Sequence, residues 1–205
     1  MRRAVQPKYD KAEEQVGRIM RAAVELIRDS ESLDLRVTDV ITAAGVSNRA
    51  FYRHFANKSE LLIAILEEGN RVDAARLERQ MADAPTELEK VCCWVRGMLA
   101  RARDPARAAG TRPFLLNGLR LAYELPEEWR DAEEVHRAPL RAAVVSAHAA
   151  GEIGELDVKR AVDHIVWLTF GQMAWSLLER EPLSEADVDD IVAFVVAGLR
   201  RDGPA

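Results

Sequence analysis

The side chains best suited to chemistry lie between Val37 and Phe55. Phe51 and Phe55 are four residues apart, so on a helix they share one inward face. Asn48, Arg49, Tyr52, Arg53 and His54 then point away from it. Such a row offers amide, guanidinium and phenol groups to whatever lies outside. An arginine pairs with guanine O6 and N7, an asparagine with adenine N6 and N7, and cationic and hydroxyl groups also hold phosphates. The chemistry such a row suits is the reading of duplex DNA and not the making or breaking of a bond, although the same helix pattern also occurs as ordinary packing.

Two short helices must hold that row. Val37, Val40, Ile41 and Ala44 line one face of a helix over about 37–44, and Gly45 supplies a stop that tolerates the left-handed conformation. Ser47 is the N-cap candidate for a third helix running through Phe55. The joint Ala44 to Ser47 has the length and the glycine of a helix-turn-helix. Small Ala43 and Ala44 admit a close crossing, and Val46 fills the angle. Upstream, Val16, Ile19, Met20, Ala23, Leu26 and Ile27 recur at helical spacing. Downstream, Asn57 and Glu60 have the form of a capping box that opens a long helix reaching about Met81.

Beyond the break at Ala82–Pro85, helices are expected at 86–103, 112–124, 127–150, 157–180 and 185–201, with 103–112 as a mobile loop. Pro126 with Glu127 and Glu128 suits a first turn, and Ser184 with Asp187 resembles another capping box. The fold expected is all-α, about nine helices, with an N-terminal three-helix helix-turn-helix domain (1–58) and a larger helical domain for ligand binding and dimerisation (59–205).

Composition agrees with a helical, globular chain: 48% of the 205 residues are hydrophobic and 6% aromatic. The net charge is −5, but residues 1–60 hold 11 Lys and Arg against 9 Asp and Glu, a net of +2 at the end that carries the polar row. Arg2, Arg3 and Lys8 read as a solvated tail rather than an arm following a groove. The N-terminus lacks the apolar stretch of a signal peptide. No apolar run approaches the roughly 20 residues that span a bilayer. Cys92 and Cys93 are adjacent and are expected to stay reduced. A soluble cytoplasmic protein without contact to membrane is expected.

The segment from about Arg18 to Glu67 resembles the TetR family of bacterial regulators. The matching residues are Asp39 and Val40, Ala43 through Ser47, Phe51 through Phe55, Lys58, and Leu61 with Leu62. The resemblance covers about a quarter of the chain. It implies a DNA-binding set of Arg36, Thr38, Ser47, Asn48, Arg49, Ala50, Tyr52, Arg53, His54 and Lys58. Tyr52, His54 and Lys58 would hold phosphates; Asn48, Arg49, Ala50 and Arg53 would face bases or nearby backbone. Arg36 stands where the family often has Thr or Ser, which removes a hydroxyl cap. Arg49 and Ala50 replace a frequent pair of small residues, which implies an altered base preference.

The C-terminal half carries two helices too apolar for a monomer surface. One holds Ile165, Val166, Trp167, Leu168, Phe170, Met173, Trp175, Leu177 and Leu178; the other holds Val188, Ile191, Val192, Val195, Val196 and Leu199. The resemblance implies that they form a four-helix homodimer interface, with Gly171 allowing close approach. Ligand-binding candidates are Trp94, Met98, Phe114, Asn117, Leu121, Trp167 and Phe170, expected around a small, largely apolar effector.

Neither a metal nor another cofactor is expected, since His136, His148 and His164 match no compact ligand motif. Nor is an enzyme. The chain has no nucleophile elbow and no phosphate-binding glycine loop, and its one Glu-x-x-His, Glu133 and His136, is half of what a di-iron bundle needs. The expected function is a repressor released from a palindromic operator by its effector. The alternatives are an activator and a helical adaptor without DNA binding.

Overall fold

Side-chain caps divide this chain into helices. In the computed structural model, which describes the backbone over residues 6–200 and side chains from Ala12 onward, nine helices follow one another among the described residues. They are α1 (Gln6–Ser30), α2 (Val37–Ala44), α3 (Asn48–His54), α4 (Lys58–Ala82), α5 (Glu87–Arg103), α6 (Pro105–Glu124), α7 (Pro126–Ala149), α8 (Val158–Glu179) and α9 (Glu185–Leu199). Arg2 and Arg3, and the side chain of Lys8, lie outside the described residues.

Asn57, Thr86, Asp157 and Ser184 each accept a hydrogen bond from the backbone N–H three residues on. Each satisfies a donor that the first turn leaves orphaned. At α9 the box is complete, because the Asp187 carboxylate returns a bond to the Ser184 N–H. At α4 it closes one residue further out, the Glu60 carboxylate accepting from Ala56 N–H at 2.7 Å.

The expected loop over 103–112 is instead the first half of α6. Asp104 accepts from Ala106 and Arg107 N–H, and Pro105 fills the first helical position with a φ already suited to it. That cap nucleates a segment whose Ala- and Gly-rich sequence has no apolar periodicity. Burial of Ala108 then anchors it to the core.

Two apolar clusters form. The first gathers Ile19, Ala23 and Ile27 of α1, Val40 and Ala44 of α2, Phe51 and Phe55, and Leu61, Leu62, Ile65 and Leu66 from the start of α4; Leu121 of α6 and Ala132 of α7 close it. The second fills the rest of the molecule around α5, which packs against α4, α6, α7, α8 and α9. Helix α4 belongs to both, so the two halves share one rod. A further tie is ionic: Glu31, just past α1, accepts from Arg112 of α6 and Arg180 beyond α8, each at 2.8 Å.

Gly97 sits where α5 crosses α4, and a Cβ there would overlap the Leu77 side chain, itself fully buried. Gly97→Ala gains about 1 kcal/mol of helix propensity but overpacks the crossing by roughly 1–3 kcal/mol. A net loss of about 1 kcal/mol is expected, read as a lower urea midpoint at an unchanged denaturant slope.

Candidate nucleic-acid interface

The putting together of the α2–α3 unit starts at its turn. Gly45 adopts φ 60° and ψ 39°, and N–H groups of Gly45 and Val46 return to the carbonyls of Thr42 and Ile41. That left-handed residue ends α2 and reverses the chain within three residues. The Ser47 hydroxyl then accepts from Ala50 N–H at 3.2 Å and starts α3. Its oxygen is therefore used as a cap, although the residue is exposed. Arg36 holds the N-cap position of α2 in extended backbone and makes no side-chain cap.

Phe51 is fully buried and Phe55 nearly so, their rings 5.8 Å apart, and they seat α3 on the core beneath. Asn48, Arg49, Tyr52 and Arg53 are exposed, as are Arg36 and Thr38 at the start of α2. Tyr52 is 53% exposed and its ring stands edge-on to Phe51, which fixes its direction. Two candidates sit differently. Ala50 is only 4% exposed and belongs to the packed side of α3, so it is not available to bases in this conformation. His54 is half-buried with Nε2 3.4 Å from Gln15 Oε1 of α1. Both have one cause: the inward face of α3 is centred between the 50/54 row and the 51/55 row. Lys58 opens α4 beside this face, its Nζ 3.2 Å from the exposed Asp34 carboxylate.

The seven ligand-binding candidates do not converge on one site. Trp94 and Met98 are buried in the larger core, where Trp94 Nε1 donates to the His136 carbonyl at 2.9 Å. Leu121 is buried in the other cluster, and half-buried Phe114 packs against that same cluster. Asn117 turns its amide back to the Pro113 carbonyl in its own helix. Phe170 packs against the larger core, with Trp167 edge-on beside it.

Trp167 is 64% exposed, its ring turned away from the core and not into it. It falls instead on a stripe of α8 with exposed Gly171, Trp175 and Leu178; α9, which packs against α8, leaves Phe194 exposed. A Cβ at Gly171 would meet open space. Trp167, Trp175, Leu178 and Phe194 are thus large apolar side chains left exposed on two neighbouring helices, and apolar surface of that kind marks interaction sites when contiguous.

A group of charged residues gathered from α4, α5, α6 and α7 is not signalled by any spacing in the sequence. Asp73 accepts from Arg107 and lies near Arg101 and Arg76. The Arg101 guanidinium faces His136 Nε2 at 3.4 Å. Burial, reinforced by the Arg101 charge, lowers the His136 pKa to about 3, so the ring is a neutral acceptor. An unfolded chain takes up that proton near the ordinary value of about 6.5. Acid therefore favours the unfolded state throughout the window between the two values, and stability falls as pH drops through it by up to about 1.4 kcal/mol per unit. His136→Gln should flatten the fall in urea midpoint between pH 7 and pH 5.

Among the described residues no group of three or more His, Cys, Asp or Glu is placed to hold a metal ion. No described helix is long and apolar enough to cross a membrane.

Comparison with known proteins returns to the same segment. Residues 19–65 match the model for bacterial regulatory proteins of the tetR family. Over 117 residues the chain is 32% identical to the HTH-type transcriptional regulator CymR of Pseudomonas putida, covering 49% of this chain and 58% of that protein. The chain thus matches somewhat over half the length of this curated relative. Among solved structures, the transcriptional regulator FadR from Bacillus subtilis in complex with stearoyl-CoA superposes with TM-score 0.71 at 23% identity, over 89% of this chain and 96% of that one. The fatty acid degradation regulator FadR from Bacillus halodurans does so with TM-score 0.74 at 22% identity, over 91% and 97%. At these identities the superpositions show a shared fold.

Proposed function

We propose, starting from a chain that belongs through residues 19–65 to the tetR family of bacterial regulatory proteins, that it is a cytoplasmic, homodimeric transcriptional repressor. It reads a palindromic operator with α3 and leaves it when a small molecule binds. One observation carries this reading: Asn48, Arg49, Tyr52 and Arg53 stand exposed on a capped helix whose opposite side is entirely packed. A row of that composition, held that rigidly, suits the major groove.

In this reading residues 1–58 bind DNA and 59–205 bind effector and partner. Tyr52 and Lys58 hold phosphates, Lys58 exchanging Asp34 for a phosphate oxygen, and His54 does so by releasing Gln15. Asn48, Arg49 and Arg53 face bases or adjoining backbone, with Arg36 and Thr38 reaching the same strand from α2. Ser47 contributes by setting the start of α3.

Dimerisation follows from two facts of size and surface. One seven-residue helix makes too few contacts for specific affinity. The apolar stripe on α8 and α9 can be covered by its own copy about a two-fold axis. Two α3 helices would then face half-sites about 34–36 Å apart, one turn of DNA. The Glu31, Arg112 and Arg180 tie, with α4 shared between cores, gives an effector a means of changing that separation. It does so only if it binds the two settings with different affinity.

The reading is tested by retardation of DNA from around the protein's own gene in a gel, across a salt series. Specific retardation that weakens linearly in log–log with salt is expected. Retardation equal for unrelated DNA of the same length would sink it.

A further inference from the structure

A cleft of about 730 Å³ runs between α1, α4 and α6 and reaches α5 at its deep end, within the size range of small-molecule sites. Its walls are apolar: Met20 and Val24 from α1, Val72 from α4 and Phe114 from α6. At the rim Arg21 and Arg28 stand with Glu25 and Glu68, so charge there is balanced. The deep end differs. Asp73 accepts from Arg107 Nη2 at 2.6 Å, with Arg101 Nε at 3.3 Å and Arg76 Nε at 3.8 Å.

One carboxylate cannot satisfy three guanidiniums. They carry about fifteen N–H donors between them against about four lone-pair positions on Asp73. The Arg76 Nη2 finds the Gly97 carbonyl at 3.1 Å, but the Nε atoms of Arg76 and Arg101 are buried without a hydrogen-bond partner. Burial, with the Arg107 charge adding to it, lowers both arginines from their ordinary values. Glu133 also acts on Arg101, its own carboxyl pushed up by burial and pulled down by Arg101 and Arg137, so two carboxylates face three guanidiniums. Donors and positive charge are both in excess where the cleft is deepest.

We propose that this cleft binds a small amphipathic carboxylate. Its carboxylate takes donors of Arg101 and Arg107 that Asp73 leaves unfilled, and its apolar body lies against Met20, Val24, Val72 and Phe114. Of the seven ligand-binding candidates read from the sequence, only Phe114 lines this cleft. Since Met20 and Val24 belong to the helix that supports α2 and α3, an occupant touches both halves of the molecule. The name effector rests on the regulator reading above; the binding does not, and needs no DNA to be measured.

The test uses the full chain, titrated calorimetrically with head-group series on constant bodies: octanoate, 1-octanol and octylammonium, then 4-butylbenzoate and its amide. Both carboxylates should bind saturably and at least about tenfold tighter than their uncharged or cationic counterparts, as loss of a charge-assisted hydrogen bond implies. Arg107→Gln should weaken them about tenfold or more, with Arg107→Lys losing less. Asp73→Asn should tighten them several-fold, because the internal competitor for the same donors is gone. A purely structural role for the cluster predicts no tightening.

Equal binding of acid and alcohol, no binding by either carboxylate, or weaker binding by folded Asp73→Asn would each overturn the proposal. DNA retardation on the same preparations separates the two readings. Carboxylate binding without DNA binding sinks the regulator and leaves this site; DNA binding without carboxylate binding does the reverse.

Discussion

Alanine at Tyr52 should lower DNA affinity by at least tenfold for specific and random sequences alike, while the unfolding midpoint hardly moves. Tyr52 is exposed, with its ring edge-on to Phe51, and exposed substitutions away from caps and cores change stability by within about 0.5 kcal/mol. A hydrogen bond to a charged group is worth about 1.5–3 kcal/mol. In a two-fold dimer each substitution is made twice, so the loss per complex is larger still. Lys58→Ala should also weaken binding uniformly and reduce the salt slope by about one per half-site. Its loss is partly offset, because the pair with Asp34 that DNA must break is itself an exposed one, worth about 0–1 kcal/mol. Arg49→Ala or Asn48→Ala should instead change which sequence is preferred, by about 1–3 kcal/mol at the base concerned. Retardation of matched and scrambled sites separates the two patterns.

Glutamate at Trp175, or at Phe194, should convert the protein to a monomer and with it abolish specific DNA binding. These side chains are 65% and 70% exposed in the free chain. Buried aromatic anchors at an interface are typically worth about 2 kcal/mol or more each. A carboxylate near the two-fold axis would meet its own copy, and like charges so placed cost several kcal/mol. Light scattering should give about twice the 22.9 kDa chain mass for the wild type and the chain mass for the variant. Circular dichroism should be unchanged, since neither side chain belongs to the cores. A variant that stays dimeric would place the interface elsewhere.

What was legible in the sequence was what is local. Gly45, Ser47 and the Phe51–Phe55 spacing act within one or two turns, so the helix-turn-helix could be read from types and intervals alone. His54 lies half-buried and not fully outward because one i,i+4 pair locates the centre of a buried face only to within a residue; Ala50, which only the resemblance brings into the DNA-binding set, is buried on that same face. The beginning of α6 shows no apolar stripe, and its Pro105 and Gly110 suggest a loop, so Asp104 and Pro105 as a cap are its one local signal. Trp167 could not be assigned a direction: on a helix apolar nearly all round, period says nothing about which side faces the core. The charged cluster escaped entirely, as 34 residues separate Asp73 from Arg107 and only folding brings them together.

If a symmetric pair of α3 helices reads DNA, the sequence it selects is a palindrome. In vitro selection from random duplex DNA, followed by sequencing, tests it most directly. Enrichment of an inverted repeat is expected, with half-sites a turn of the duplex apart or a small multiple of it, and Arg49→Ala should lose or alter that repeat. A pool no different from its input, or one identical for wild type, Arg49→Ala and Tyr52→Ala, would contradict this reading of DNA.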